Sequence, residues 1–364
     1  MKESELLNLL LESTKTCNLS VAGFSLPGEN TFTFWVQDTD SDLPHLKNKV
    51  FLIHPFYTAE HFPNILIQPK WCFHTEEDLP EVLKSKLLNT KCKETEYWTS
   101  LVGEMPEATN KQDFLAQVNE IKQQISQGEI EKAMLSAIRI MPKSPKKITD
   151  ILHDLRCNYP NAFISYTSTP FHGTWIGATP EILLSQHGKD LETVSLAGTK
   201  TMEQQHEWGD KEKHEQELVT TYIKELLQTY PVDNIQIDGP RYYAVGQLVH
   251  LRTRFQITML EIPDKSVIFK LANDMHPTPA VGGYPKAEGL KLIQRLEKHE
   301  RSYYAGYLGP VAEDSARLFV NLRCASLFKN EVAFYSGAGI TAGSDPEAEW
   351  DETGHKARSV SRYF

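Results

Sequence analysis

The stretch that most restricts how this chain can fold is residues 130–140, where Ile130, Met134 and Ile138 fall on one side of an alternating run and Ala133, Leu135 and Ala137 on the other. Apolar residues on both sides of a period-two pattern predict a strand covered on both faces, so the fold needs a layer above it and a layer below. Lys132 lies in phase with Ile130 and Met134. Buried there, an ammonium gives up its proton more readily and can serve as a base near neutral pH. On an edge strand it would instead snorkel to solvent.

An amphipathic helix with the stripe Phe114, Val118, Ile121 and Ile125 precedes this strand and stops at Gly128. After it, strands are expected at 162–168, 174–178, 182–185 and 191–196, the last two joined as a hairpin through His187-Gly188-Lys189-Asp190. Long helices near 210–229, 286–299 and 346–360 then flank strands near 245–259, 316–327 and 332–335. This order predicts an α+β fold of antiparallel sheets packed by helices. The first hundred residues show short apolar runs at 31–36, 50–53 and 65–68 and one charged helix near 76–88, with no constellation that reads as chemistry. A polar stretch at 103–112 suggests a boundary between a region 1–105 packed on the core and a catalytic region 106–364.

Candidate chemistry concentrates in the second half. On the helix after Gly209, Leu218, Val219, Tyr222, Ile223 and Leu226 mark the buried stripe, and Glu215 falls on it. A carboxylate buried there needs a cation, a hydrogen-bonded partner or a metal. The other reading is an exposed position near the helix start. The final helix opens with Ser344-Asp345-Pro346-Glu347, a capping sequence that secures its register, and that register puts Glu349, Glu352 and Lys356 on one face. Such a face can be merely solvated and salt-bridged. Paired with Glu215, it would instead bring carboxylates from two helices together, as Mg²⁺ sites often do. Glu181, at the turn Gly177-Ala178-Thr179-Pro180-Glu181, is either an acid held protonated or an exposed turn residue. The glycine-rich run 336–343, between a strand and a helix, lacks the spacing of a nucleotide-binding loop. Its N–H groups could cradle a carboxylate beside Arg323 acting as a bidentate clamp.

Six ordered motifs carry a family resemblance: residues 177–181, Leu196-Ala197-Gly198-Thr199, the helix start at 211–219, His276-Pro277-Thr278-Pro279-Ala280, Tyr304-Ala305-Gly306, and 344–356. From Phe114 onward the sequence resembles the chorismate-utilising enzymes, the isochorismate, salicylate, anthranilate and aminodeoxychorismate synthases. The resemblance implies one large α+β domain, two antiparallel sheets sandwiched between helices, with a variable N-terminal part and the active site in the cleft. It implies Glu215 and Glu352 as Mg²⁺ ligands, with Glu349 acting through metal-bound water. Arg323, Gly337 and Lys356 would bind substrate carboxylates, Gly198 and Thr199 would line the pocket, and His276 and Ala280 would lie beside it. Water-using members look like this sequence at Lys132, whereas ammonia-using members usually carry a non-basic residue. The resemblance thus implies an isochorismate synthase in which Lys132 is the base and Glu181 the acid. Glu212, Lys213 and Ala137 depart from residues common in the family, which touches details around the site.

Composition sets the remaining bounds. A formal charge of -10 on 364 residues disfavours nucleic acid and anionic membrane as partners, so a small anion would need a local cationic site. Five scattered cysteines without a C-x-x-C suggest reduced thiols and a cytosolic location, and no run reaches the roughly eighteen apolar residues of a membrane span. The expected partner is chorismate alone, with the protein a monomer. Salicylate synthesis, by pyruvate elimination in the same pocket, is the nearest alternative. Ammonia-dependent chemistry and an inactive chorismate-binding module stand further off.

Overall fold

The computed structural model describes residues 2–39, 49–60, 62–90, 96–98, 105–170, 172–201, 208–245 and 248–364, excepting the side chains of 197–201, 211, 245 and 248. The N-terminal part comprises α1 (Glu3–Glu12), β1 (Leu19–Ser25), β2 (Thr33–Asp38), β3 (Val50–His54), β4 (Ile65–Ile67), β5 (Trp71–His74) and α2 (Glu81–Asn89). Then follow α3 (Lys111–Ser126), β6 (Lys132–Pro142), α4 (Ile148–Asn158), β7 (Phe163–Thr169), β8 (Gly173–Thr179), β9 (Ile182–His187), β10 (Asp190–Thr201) and α5 (Asp210–Leu227). The last part holds β11 (Val232–Val245), β12 (Leu248–Met259), α6 (Lys265–Met275), β13 (Gly283–Tyr284), α7 (Lys286–Leu296), β14 (Tyr307–Val311), β15 (Ser315–Val320), β16 (Cys324–Leu327), β17 (Glu331–Ile340) and α8 (Pro346–Ser361).

Among the described residues the strands form two antiparallel sheets, of nine strands in the order β13-β6-β17-β16-β8-β7-β1-β2-β5 and of eight in the order β11-β12-β10-β9-β15-β14-β3-β4. The α+β sandwich expected from the sequence is therefore the architecture. Strands from the first hundred residues extend both sheets, β1 pairing with β7 and β3 with β14. The sheets meet face to face, as where the rings of Phe163 and Phe319 stack with centroids 4.2 Å apart. On the outer face of the nine-stranded sheet, α1, α2, α4 and α8 cover a second core containing Leu10, Phe34, Tyr166 and Phe334.

The strand at 130–140 has both covers that its pattern demands. Ala133, Leu135 and Ala137 of β6 pack against Phe114, Val118 and Ile121 of α3, while Ile138 joins the core between the sheets. Two departures from the sequence reading matter for the site. The run 316–327 is not one strand: it breaks after Val320, leaving β15 in one sheet and β16 in the other, with Arg323 at φ 47° in the bend. The glycine-rich run is not a loop, because β17 continues through Gly337 and Gly339 to Ile340, paired with β6 throughout.

Candidate active site

The chain passes between the sheets twice at one place. It crosses from β8 to β9 through Pro180 and Glu181, and from β15 to β16 through Asn321, Leu322 and Arg323. The crossings hold each other: Val320 N–H donates to Glu181 O at 2.9 Å, and Ala178 N–H donates to Arg323 O at 3.0 Å. At the same level β16 ends opposite Tyr335, so among the described residues β17 continues with β6 as its only strand partner. A cleft opens there, lined by Lys132, Glu181, Glu215, Ala280, Arg323, Gly337, Glu352 and Lys356 among others.

Burial decides the readings that the sequence left open. Lys132 is fully buried and does not snorkel; its Nζ lies 2.8 Å from Glu215 Oε1. Glu215 is buried on the inner stripe of α5, as its spacing suggested, at 9% exposure. Gly339 makes this pair possible, because a Cβ there would collide with Glu215 Oε1 and crowd Lys132 Cε. Glu181 is buried too, and desolvation pushes its carboxyl up to about 7 against the opposing charges of Lys132, Lys356 and Arg323. A carboxyl so placed is about half protonated at neutral pH and can donate a proton.

The cationic side of the cleft comes from Arg323 and Lys356. Arg323 Nη2 donates to His250 Nε2 at 3.0 Å, while its Nη1 is buried with no hydrogen-bond partner. Burial pushes the guanidinium down to about 10, which leaves it cationic at neutral pH. A buried guanidinium with an unpaired donor has the charge and the N–H group that suit an anionic partner. Lys356 Nζ bridges Glu352 Oε1 at 2.7 Å and Gly337 O at 2.9 Å. The register of α8 is fixed as its capping sequence suggested, with Asp345 Oδ1 accepting from Ala348 N–H at 2.9 Å and proline in the first turn.

Three groups of expected site residues stand apart. His276 is buried away from the cleft wall, its ring among those of His54, Phe56 and Tyr307 and its Nε2 3.3 Å from Phe56 O. Desolvation, aided by His54, holds it well below the ordinary imidazole range. The helix α6 ends at this residue, which turns its side chain into the aromatic cluster and leaves Ala280 to reach the cleft. Glu349 is 2% exposed on α8, three residues before Glu352, and is not on the cleft wall. Gly198 and Thr199 lie on β10, but their side chains are outside the described residues. His250, Tyr304 and Gly339 line the cleft without having been singled out. Tyr304 and Gly339 stood inside motifs that were read; a lone histidine on the apolar strand β12 gave no signal.

The residues present suit a hard divalent cation. Glu215 and Glu352 offer oxygen donors from two helices, and each now engages a lysine ammonium, a cation standing where a metal charge could stand. The glycine at 339 leaves the room that Glu215 occupies. Among the described residues no three acidic, histidine or cysteine side chains converge into a closed cage. Mg²⁺ does not require one, since it keeps waters and shares ligands with an anionic substrate.

A family model described as chorismate binding enzyme matches residues 10–363. The isochorismate synthase MenF of Pasteurella multocida is 31% identical over 254 residues, covering 65% of this chain and 58% of that protein. The isochorismate synthase EntC of Escherichia coli strain K12 is 32% identical over 203 residues, covering 53% of this chain and 51% of that protein. The chain thus aligns with little more than half the length of either. Among solved structures, MenF, the menaquinone-specific isochorismate synthase from Escherichia coli, superposes with a TM-score of 0.76 at 21% identity over 98% of this chain and 90% of that one. Anthranilate synthase component I from Streptococcus pneumoniae superposes with a TM-score of 0.64 at 17% identity over 94% of this chain and 92% of that one. These two likenesses bear on the fold.

Proposed function

Because this chain belongs to the chorismate-binding enzymes, we propose that it is an isochorismate synthase, adding water at ring carbon 2 of chorismate with loss of the hydroxyl at carbon 4. The observation that carries this reading is Lys132, wholly buried in a cleft whose opposite character is set by Glu181, a carboxyl pushed up to about 7. A base and an acid held in one desolvated cleft serve a reaction that needs a proton removed at one end of a conjugated system and supplied at the other. The isochorismate synthases among its relatives support the water branch.

In this reading Lys132 acts as the neutral amine: its Nζ takes a proton from the water that attacks carbon 2, and Glu181 gives one to the hydroxyl leaving carbon 4 as water. Proton return from Lys132 to Glu181 through solvent restores both groups, so the net change is an isomerisation. Each proton transfer is worth about 10²–10⁴-fold in rate. Arg323 Nη1 and Lys356 hold the substrate carboxylates, with Gly337 on the same wall of the cleft. Enzymes of this family are metal-dependent, and we assign Mg²⁺ to Glu215 and Glu352, with Glu349 behind them. When bound, the ion supplies positive charge to a substrate carboxylate and takes up the charge of Glu215 that now holds Lys132. The protein acts as a cytosolic monomer whose product enters menaquinone or siderophore synthesis. The family resemblance adds Gly198 and Thr199 to the residues that would line the pocket.

Incubation with chorismate and Mg²⁺, with and without EDTA and beside Lys132→Ala, tests the reading through the separated products. Isochorismate that requires both Mg²⁺ and Lys132 supports it. Salicylate with equimolar pyruvate would move the chain to the lyase branch, and chorismate binding without turnover would make it a binding module.

A further inference from the structure

Among the described residues, the strand that carries Lys132 has almost no strand on its outer side. Its neighbour there, β13, has two residues, pairing Gly283 with Ala133 and Tyr284 with Lys132. Beyond them the N–H and C=O groups of Met134 and Ile138 and the N–H of Ser136 would face out unpaired, and a buried backbone group without a partner is costly. Each finds a substitute. Met134 N–H donates to Gly282 O at 2.7 Å, and Thr109 exchanges both bonds with Ile138, its Oγ1 accepting at 2.8 Å and its N–H donating at 2.9 Å. Between these, two side chains do the pairing: Arg301 Nη2 donates to Met134 O at 2.6 Å, and Glu297 Oε1 accepts from Ser136 N–H at 2.7 Å.

The same two residues are joined to each other, with Arg301 Nε donating to Glu297 Oε2 at 2.8 Å and Nη2 to Oε1 at 2.6 Å. Arg301 Nη1 reaches Val281 O at 2.8 Å, and its guanidinium lies 4.2 Å from the Phe56 ring centroid. Met134 and Val281 both line the cleft, so one guanidinium ties two of its walls. Both side chains are buried, at 2% and 4% exposure. Burial alone would raise the Glu297 carboxyl; the charges of Arg301 and His299 and the Ser136 bond outweigh it and hold the group below its usual range. The pair follows α7, which leans on β13 so closely that a Cβ on Gly283 would come within 2.6 Å of Gly289 Cα. Glu297 follows at the end of that helix. A buried ion pair is often no more stabilising than apolar side chains of the same shape, so stability alone does not account for this one.

We propose that Glu297 and Arg301 are positioning residues, a side-chain substitute for the missing strand that fixes where β6 holds Lys132 against the wall formed by Val281. This rests on the reading of Lys132 as the base. A reacting group displaced by on the order of 1 Å can cost about 100-fold in rate without weakening binding. The test is a mutant cycle on the full chain. Arg301→Lys is made in the wild-type and Lys132→Gln backgrounds, with kcat and KM for chorismate measured on protein whose cooperative melting shows it folded. Arg301→Lys is expected to lower kcat by about 10- to 100-fold with KM within about 3-fold, and to change the residual rate of Lys132→Gln by less than about 2-fold, because it acts through that lysine. Equal losses in both backgrounds, or an unchanged kcat in the folded variant, would overturn the assignment. Should Arg301→Lys not fold, Glu297→Gln is read through the same cycle; if neither folds, the pair is a requirement of the fold and the positioning role is withdrawn. A wild-type protein that makes no isochorismate fails the underlying reading before any variant is compared.

Discussion

The proposed acid and base, Glu181 and Lys132, are buried in different company. Glu181 has no carboxylate-specific partner strong enough to offset its desolvation and rises to about 7, whereas Lys132 is paired with Glu215 at 2.8 Å. Lys132→Ala should reduce turnover by about 10²–10⁴-fold while the melting transition stays cooperative, as steady-state assays beside thermal melts would show. For Glu181 the sign is set by its raised value: the acid form is lost as pH rises through about 7, so kcat should fall on the alkaline side. Glu181→Gln should lack that limb. The same shift has a stability consequence. Above pH 7 the folded protein carries a desolvated charge that the unfolded chain holds in water, so Glu181→Gln should be more stable than wild type at pH 8, by on the order of 3 kcal/mol, with the gain vanishing near pH 4. Denaturant melts across pH would register this, and a constant difference would count against it. Arg323→Lys, which loses the forked donor, should raise KM for chorismate by about 10- to 100-fold with a smaller effect on kcat. At this scale the sequence was informative wherever a charged residue fell in phase with apolar neighbours, as Lys132 and Glu215 do. It was silent for His250, whose role depends on a partner 73 residues away.

Among elements, the cleft exists because two strands end where their sequence gives little warning. The run 316–327 is apolar enough to read as one strand; only the left-handed backbone at Arg323 breaks it, and arginine is not a residue that announces such a bend. By contrast the start and register of α8 were legible from Asp345 and Pro346, since capping is local chemistry. The charged helix expected at 76–88 starts at Glu81, because Pro80 bars helical backbone in the residue before it. Strand β11 was missed altogether: its many exposed residues carry no buried face for a pattern to mark. The extension of β17 through its glycines leads to a prediction of its own. Gly339→Ala would place a methyl on Glu215, so it should weaken Mg²⁺ binding, measured by calorimetry, and depress kcat, while Gly343→Ala, with open space around it, should do neither.

Over the whole molecule, two sheets share the task of holding one cleft with a cationic side in a chain of net charge -10. Lys132 and Lys356 come from β6 and α8, Arg323 from the second crossing and Glu181 from the first, so the site is assembled only when both sheets are in place. Among the described residues no helix is long and apolar enough to cross a membrane. Because the carboxylates are now held by lysines, Mg²⁺ together with chorismate should stabilise the fold by mass action, by about 2.7 kcal/mol at a hundred times Kd. Thermal melts should show that gain in wild type and not in Glu215→Gln. The sandwich itself was legible from strand spacing and from one doubly covered strand, while the order of strands within each sheet depended on long-range pairings that no local pattern encodes. The central claim is that water is the nucleophile, and turnover of chorismate with Mg²⁺ in ¹⁸O-labelled water tests it most directly. The account predicts isochorismate two mass units heavier, with the label at carbon 2; unlabelled isochorismate, or turnover that begins only when ammonium is added, would contradict it.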